Sequence, residues 1–253
     1  MDLGLKGLRA LVTGGTKGIG RRAADILADE GCNISICSRN EDEVKAAIAA
    51  LEAKGVVTHG QAINVSDKHA LEGWVESAAA SLGGIDIVIA NVSALAVQDG
   101  EEAWRDAFEV DMMHTVRTVN ASLPWLEQSQ HPSITIVSSV SGREIDFTGP
   151  AYGAFKAALV HYAQGLAHRL ADKGIRANAV SPGNVYFEGG VWHQIETGNQ
   201  ELFQQALALN PSGRMATPEE IGRGIAFLAS PASSFTSGTN LVIDGALTRG
   251  VQV

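Results

Sequence analysis

Cysteine, proline and positive charge are all scarce in this 253-residue chain. Its two cysteines, Cys32 and Cys37, lie five residues apart in one apolar stretch, which excludes a disulfide framework and favours buried thiols in a reducing cytoplasm. Nineteen Lys and Arg against 28 Asp and Glu give a net charge of −9, so the chain as a whole repels nucleic acid and anionic membranes. Only seven prolines among 45% hydrophobic residues exclude general disorder.

Long hydrophobic runs are also missing. Charged or turn residues interrupt every apolar run well before 18 residues, and residues 1–7 lack the apolar segment of a signal peptide. The seven histidines show no metal-ligand spacing, so no metal site is predicted. We therefore expect a soluble, cytoplasmic protein without membrane or nucleic-acid partners.

Short apolar runs alternate with longer helical patterns along the chain. The runs predict seven strands, at residues 9–13, 33–38, 58–64, 85–91, 134–139, 176–181 and 240–244. The helical patterns cover residues 18–30, 41–54, 67–82, 101–128, 151–173 and 218–229. Most strands are apolar on consecutive residues, which is typical of a parallel sheet covered on both faces. Residues 1–253 are thus predicted to form one doubly wound, Rossmann-like α/β domain with helices on both faces.

Two local patterns refine this prediction. Asn40 with Glu43, and Thr217 with Glu220, have the spacing of capping boxes at helix N-termini. Residues 184–212 interrupt the alternation with turn residues around a short helical stretch at 201–209. A segment of this length in a compact domain predicts a substrate-binding loop.

A glycine-rich turn follows the first strand, where residues 13–20 read Thr-Gly-Gly-Thr-Lys-Gly-Ile-Gly and open a helix. Glycines let a pyrophosphate approach backbone N–H groups at a helix N-terminus, where partial positive charge also lies. The predicted cofactor contacts in this turn are Gly14, Thr16, Lys17, Gly18, Ile19 and Gly20.

The second strand ends in Ser38 and Arg39, without the acidic residue that would bind both hydroxyls of an adenosine ribose. Ser38 can donate to a phosphate, Arg39 can form a bidentate contact, and Lys17 adds a second positive charge. These residues predict a 2′-phosphate and therefore NADP(H) as the cofactor.

Tyr152 and Lys156 lie one turn apart on one face of a predicted helix. A phenol is a poor acid at neutral pH, but a nearby cation favours its phenolate and makes it a usable proton donor and acceptor. Ser139 ends the fifth predicted strand, at the sheet edge that faces a cofactor crevice. Its hydroxyl is placed to hold a substrate oxygen beside the phenol.

With these motifs in place, residues 5–250 resemble the short-chain dehydrogenase/reductase family. Further matching pieces are Asp86, Asn91, Gly142, Ser181-Pro182-Gly183, Gly213-Arg214 and Asp244-Gly245. The resemblance implies a Rossmann fold with strand order 3-2-1-4-5-6-7, a nicotinamide cofactor, and a homotetramer or homodimer built on the helices at 101–128 and 151–173. It implies that Ser139 polarises the carbonyl, that Tyr152 transfers the proton, and that Lys156 favours the phenolate and binds the nicotinamide ribose. The other cofactor contacts that it implies are Asn64, Val65, Asn91, Pro182, Gly183 and Val185.

Four positions depart from the family pattern. The fourth-strand motif reads Ala90-Asn91-Val92-Ser93 and keeps one of its two asparagines. Asn64 replaces the usual Asp, although its amide can also accept from the adenine amine. Phe187 replaces a Thr that contacts the carboxamide, and adds apolar surface near the substrate. Asp111 replaces the usual Asn of the catalytic group.

The predicted function is an oxidoreductase that transfers hydride between NADP(H) and an apolar or aromatic carbonyl or secondary alcohol. The crevice candidates are mostly apolar: Val140, Ile145, Phe147, Tyr186, Phe187 and Trp192, with Glu188 nearby. The alternatives are a catalytically silent dinucleotide-binding protein, an NAD-dependent alcohol dehydrogenase, and a 3-oxoacyl thioester reductase. The last is less favoured because an acidic acyl carrier needs a basic surface, and residues 127–132 contain no Lys or Arg.

Overall fold

A parallel sheet carries the fold in the computed structural model, which describes residues 2–251. Its seven strands are β1 (Arg9–Thr13), β2 (Asn33–Ser38), β3 (Thr58–Ala62), β4 (Ile87–Ala90), β5 (Ser133–Val137), β6 (Arg176–Pro182) and β7 (Asn240–Ile243). The order β3-β2-β1-β4-β5-β6-β7 confirms the doubly wound fold and the implied strand order. Each observed strand boundary lies within two residues of its prediction.

Helices connect the strands on both sides of the sheet. They are α1 (Gly18–Asp29), α2 (Glu41–Glu52), α3 (Lys68–Leu82), α4 (Glu101–Asp106), α5 (His114–Leu126), α6 (Pro150–Leu170), α7 (Val191–Gly198), α8 (Gln200–Ala208) and α9 (Pro218–Ala229). Among residues 2–251, no helix combines the length and apolarity needed to cross a bilayer.

Two helical predictions need correction. The continuous helix predicted at 101–128 is divided by a π-helix, Ala107–Met113, which lies between α4 and α5. The interrupted loop predicted at 184–212 contains a second helix, α7, before the stretch that was predicted to be helical. The π-helix has no periodicity of its own, because an apolar spacing that fits an α-helix also fits a short π-helical insertion.

The core has two layers, one on each face of the sheet. Successive residues of β1 alternate between them: Leu11 packs with α3, α5 and α6, whereas Ala10 and Val12 pack with α1, α2 and α9. All three side chains are fully buried. This two-sided burial explains why the strands are apolar on consecutive residues.

The helix N-termini differ in their capping. Thr217 and Glu220 form the complete predicted capping box at α9. The box predicted at α2 is only half formed, because Asn40 accepts from Glu43 N while the Glu43 side chain is used elsewhere. At α1 the N-cap residue is Lys17, and no side chain caps the helix. The first N–H groups of α1 therefore find no acceptor in the N-cap side chain.

Candidate active site

The glycine-rich turn connects β1 to the uncapped end of α1, at the carboxyl edge of the sheet. Gly14 and Gly18 have φ angles of +68° and +57°, which favour glycine. A Cβ atom on Gly20 would lie 2.4 Å from Gly14 O, so this position has no room for a side chain. The turn presents backbone N–H groups at a helix N-terminus and fits a pyrophosphate.

Asn91 supports this turn from the neighbouring strand. Its Nδ2 donates to Thr13 O at 3.1 Å, and its backbone N donates to Thr13 Oγ1 at 2.9 Å. The one asparagine kept from the family motif therefore fixes the backbone that the cofactor would approach. Its predicted contact with the cofactor itself stays a prediction.

The predicted ribose end is a polar cluster with a member that the sequence analysis did not assign to it. Thr16 Oγ1 donates to Glu43 Oε2 at 3.0 Å and lies 3.1 Å from Ser38 Oγ. Lys17 Nζ lies 3.4 Å from Glu43 Oε1. Arg39 is exposed beside this cluster. Glu43 matched a capping pattern in the sequence, and that pattern gives no signal for its contact with the glycine turn.

The predicted adenine contacts are at the end of β3. Asn64 Oδ1 accepts from Ser66 N at 3.2 Å and from Ser66 Oγ at 2.9 Å, and the neighbouring Val65 is buried. An amide oxygen has two lone pairs, so both are engaged by Ser66. An adenine amine would have to displace one of these bonds, and adenine recognition by Asn64 stays a prediction.

The opposite wall of the crevice begins where β6 ends. Pro182 pairs with β7, Gly183 has no space for a Cβ atom beside Asp244, and Val185 forms a bridge with Ala216. These contacts fix the backbone that leads into the substrate loop.

Phe187 continues this wall, and its ring lies against the glycine-rich turn. A Cβ atom on Gly18 would lie 2.7 Å from Phe187 Cζ, and one on Gly190 would lie 2.8 Å from Phe187 Cε1. The ring therefore packs on the glycine-rich turn itself. The apolar surface expected from Phe187 adjoins the phosphate-binding residues as well as the substrate loop.

Ser139 is held against helix α6 by close backbone packing. It does not end a strand as predicted, since β5 stops at Val137; it is the N-cap of a one-turn 3₁₀ helix, Val140–Gly142. A Cβ atom on Gly142 would lie 2.6 Å from the carbonyl carbon of Lys156, and one on Gly153 would lie 2.8 Å from Ser141 O. Two glycines thus allow the serine turn to touch the helix that carries Tyr152 and Lys156.

A short polar chain leads from Ser139 to the surface. Ser139 Oγ accepts from Ser141 N at 3.2 Å and donates to Ser141 Oγ at 3.1 Å, and Ser141 Oγ in turn donates to Asp146 Oδ2 at 2.5 Å. Ser139 is buried, whereas Asp146 is exposed. The Ser139 hydroxyl is therefore oriented by its neighbours.

Lys156 is a buried ammonium with a carboxylate partner. Its Nζ lies 3.0 Å from Asp111 Oδ1, with side-chain exposures of 2% and 1%, and donates to Val137 O at 3.4 Å. The contact with Asp111 lacks the angle of a well-directed hydrogen bond, so we describe it as an ion pair. The Tyr152 ring centroid lies 5.5 Å from the same Nζ. Burial alone would lower the pKa of Lys156, but the charge of Asp111 and the Tyr152 phenol outweigh it and raise that pKa.

The π-helix places the Asp111 carboxylate next to the Lys156 ammonium. Asp111 Oδ2 accepts from Ala94 N at 3.0 Å, which leaves Oδ1 for the ammonium. The structure thereby places Asp111, predicted from the resemblance alone, beside Lys156.

His114 is a buried neighbour of the π-helix that the sequence analysis did not identify. Its Nδ1 donates to Val110 O at 2.6 Å, so its Nε2 accepts from Thr13 Oγ1 at 3.1 Å. Burial lowers the pKa of His114 to about 4, and the imidazole is neutral at pH 7. It joins the π-helix to the end of β1.

Aromatic side chains join the two segments that flank this site. Phe147, in the segment between the serine turn and α6, packs edge-on against Trp192 of α7 with ring centroids 5.4 Å apart. Trp192 belongs to a small core with Phe203, Ala206 and Met215. The other predicted crevice residues differ in exposure: Val140 is buried, Ile145 and Glu188 are exposed, and the Tyr186 hydroxyl bonds to Glu196.

Three comparisons with known proteins cover almost the whole chain. The family model described as Enoyl-(Acyl carrier protein) reductase matches residues 14–248. Isoepoxydon dehydrogenase patN from Penicillium expansum is 40% identical over 258 residues, which covers 100% of this chain and 99% of that protein. The crystal structure of L-sorbose reductase from Gluconobacter frateurii, complexed with NADPH and L-sorbose, superposes with a TM-score of 0.92 at 26% identity, covering 99% and 100% of the two chains.

A second solved structure is also similar. It is the NADPH-bound short chain oxidoreductase from Pseudomonas aeruginosa PAO1, whose catalytic centre is described as atypical. The TM-score is 0.87 at 28% identity, and the match covers 96% of this chain and 98% of that chain.

Proposed function

The chain belongs to the short-chain dehydrogenase/reductase family, and from that premise we propose that it is an NADP(H)-dependent oxidoreductase acting on a carbonyl or secondary alcohol. The observation that carries the proposal is the buried Lys156 ammonium, whose Nζ lies 5.5 Å from the Tyr152 ring centroid. A positive charge in this position would favour the phenolate of Tyr152 and so make the phenol a usable acid and base.

The residues of the crevice fit a dinucleotide. The uncapped N-terminus of α1 would hold the pyrophosphate, and Lys17, Ser38 and Arg39 would hold a 2′-phosphate. On the opposite side, Pro182, Gly183 and Val185 would border the nicotinamide end. When bound, the nicotinamide supplies or accepts the hydride.

The chain's own residues would handle the proton. The Tyr152 hydroxyl would give a proton to the substrate oxygen during reduction and take it back during oxidation. Ser139, whose Oγ accepts from Ser141 N, would turn its single O–H from Ser141 Oγ to the same substrate oxygen and stabilise the charge that develops there. Lys156 has contacts to Asp111 and Val137 O, so one N–H remains to bind a ribose hydroxyl.

We further propose an apolar or aromatic substrate. Phe147 and Trp192 form an edge-on pair beside the serine turn, and Phe187 adds a third ring near the glycine-rich turn. Rings of this kind recognise flat or branched apolar groups by contact area. A panel of aromatic, alicyclic and polyhydroxylated ketones tests this specificity, and a clear preference for the polyhydroxylated members would contradict it.

The decisive experiment compares Tyr152→Phe with a matched control, Tyr162→Phe, on the same helix. We expect Tyr152→Phe to lose at least about 10²-fold in turnover of the ketone panel, because the proton donor is removed. Its affinity for NADPH should stay within a few fold, since the ring remains. Tyr162→Phe should keep wild-type turnover.

The outcomes separate the alternatives. Substantial turnover by Tyr152→Phe would contradict the assigned role. A wild-type protein that binds NADPH but turns over no member of a broad panel would favour a catalytically silent dinucleotide-binding protein. Equal binding of NADH and NADPH would contradict the NADP(H) assignment, and turnover confined to acyl-carrier thioesters would favour the 3-oxoacyl reductase.

We also propose a homotetramer or homodimer. Trp104 and Phe108 are 42% and 44% exposed, and both pack against Phe155 of α6 with ring centroids about 6 Å apart. An exposed aromatic cluster formed by α4, the π-helix and α6 supports association through this face. Light scattering of the purified protein tests this, and a monomer at micromolar concentration would contradict it.

A cytoplasmic location completes the proposal. Cys32 and Cys37 are buried free thiols, and burial raises the pKa of both. Such thiols are unreactive and suit a reducing compartment. Fluorescence localisation of a tagged chain in its native cell tests this assignment, and secretion would contradict it.

A further inference from the structure

The two predicted capping boxes have the same sequence spacing but different structures. At α9, the Glu220 carboxylate turns back and accepts from Thr217 N at 2.8 Å. At α2, the Glu43 carboxylate instead crosses to the glycine-rich turn, where it accepts from Thr16 Oγ1 and pairs with Lys17 Nζ. A side chain that could have completed its own helix cap is therefore directed into the cofactor crevice.

The position of this carboxylate matters because of its neighbours. Thr16 lies between Glu43 and Ser38, with Oγ1 3.0 Å from Glu43 Oε2 and 3.1 Å from Ser38 Oγ. A phosphate bound by Lys17 and Ser38 would thus lie close to a negative charge that already occupies Lys17. Two anions at such a separation repel each other even in a solvated site.

We propose that Glu43 is a specificity-determining residue that weakens binding of the 2′-phosphate and narrows the preference for NADP(H) over NAD(H). This inference rests on the proposed function, which assigns the 2′-phosphate to Lys17, Ser38 and Arg39. Glu43 and the phosphate compete for the same ammonium. NAD(H) carries a hydroxyl in place of the phosphate, so its binding leaves the Lys17–Glu43 pair in place.

The exposure of the pair permits this exchange. The side chains of Lys17 and Glu43 are 67% and 37% exposed, and exposed ion pairs contribute little to stability. Lys17 can therefore leave Glu43 for a phosphate at small cost. The Glu43 carboxylate then stays near the bound phosphate, and the repulsion between the two anions weakens binding.

The test measures binding rather than turnover. Calorimetry with 2′,5′-ADP and 5′-AMP isolates the 2′-phosphate, and nicotinamide fluorescence gives the Kd values of NADPH and NADH. The variants are Glu43→Gln and a control, Glu41→Gln, in the same helical turn. Glu41 pairs with Lys45, away from the glycine-rich turn.

We expect Glu43→Gln to bind 2′,5′-ADP and NADPH about three- to tenfold more tightly, because one repulsive charge and one competitor for Lys17 are removed. The Kd values of 5′-AMP and NADH should change by less than about twofold, and Glu41→Gln should match the wild type. The N-cap is preserved, since Asn40 accepts from the backbone N of residue 43.

Two results would overturn the inference. If the wild type binds 2′,5′-ADP more tightly than 5′-AMP and Glu43→Gln leaves that ratio unchanged or smaller, Glu43 does not oppose the phosphate, and only this inference fails. If neither protein distinguishes the two ligands, the assignment of NADP(H) fails as well.

Discussion

The proposed crevice has a lysine–carboxylate pair at each end, and the two pairs differ mainly in burial. Lys156 and Asp111, beside Tyr152, are 2% and 1% exposed at an N–O distance of 3.0 Å. Lys17 and Glu43, at the ribose end, are 67% and 37% exposed at 3.4 Å. Burial therefore separates the two pairs: the buried pair is fixed, whereas we propose that the exposed pair exchanges its carboxylate for a ligand.

The cost of an unpaired charge explains the difference. In water, Lys17 loses little when Glu43 is replaced by solvent or phosphate. In the interior, an ammonium without its partner loses its hydration and gains nothing in return. Asp111 is itself held by Ala94 N, so the buried partner has little freedom to move. The stability of the fold therefore depends strongly on the buried ion pair and only weakly on the exposed one.

The largest difference between the two pairs is expected when the acid of each pair is removed. We expect Asp111→Ala to lower the free energy of unfolding by about 3–5 kcal/mol, because Lys156 is left buried and unpaired. Glu43→Ala should lower it by no more than about 1 kcal/mol. Urea denaturation of both variants measures the difference, and similar losses would mean that burial does not separate the two pairs.

The pH dependence of the same measurement has a definite sign. The folded-state pKa of Lys156 is raised above its ordinary value of 10.5. Its pairing therefore contributes stability that is fully present below pH 10.5 and is lost as pH rises through the folded pKa. The difference in the free energy of unfolding between wild type and Asp111→Ala should be constant near neutral pH and shrink only in the alkaline range.

The second prediction sharpens the account of the exposed end. We expect the wild type to prefer NADPH over NADH by about tenfold or more, and Arg39→Asp to reverse that preference, because the charged contact with the phosphate is replaced by repulsion. The measurement is kcat/KM with each cofactor at saturating ketone. A variant that keeps the wild-type ratio would show that Arg39 does not contact the phosphate.

The third prediction changes the charge of the buried end while keeping its shape. Asp111→Asn removes the negative charge that opposes the field of Lys156 at the Tyr152 phenol. We expect an active enzyme whose alkaline-rising limb of the oxidation rate moves to lower pH. A pH profile of kcat/KM for both forms measures it. An unchanged or upward-shifted limb would mean that Asp111 only fixes the position of Lys156.

Local sequence patterns predicted the features that local geometry controls. The four-residue spacing of Tyr152 and Lys156 sets their relation on α6, and consecutive apolar residues set the parallel strands. The contacts of the Glu43 side chain could not be predicted in this way, because Glu43 and Glu220 have the same spacing from their N-cap residues. Their different structures depend on what lies opposite each helix: the glycine-rich turn for Glu43, and Arg214 for Glu220.

The π-helix was beyond prediction for a related reason. It adds no polar or apolar signal to residues 107–113, and it is stabilised by partners far away in the sequence, such as Thr13, which bonds to His114. The resemblance to a family identified Asp111 as unusual, but only the fold brings it to Lys156. Contacts between distant segments decide the parts of the site that no local pattern encodes.

Because β1 lies in the interior of the sheet, its two edges can be paired only at different times during synthesis of the chain. Ala10 pairs with Ile34 on one side and with Ile87 on the other, so one edge of β1 stays open until β4 has been synthesised. Strands β1 to β3, next to the proposed ribose site, are therefore available first, and β4 to β7 follow. Throughout that interval the growing chain presents an apolar, unpaired strand edge of the kind that other chains can join.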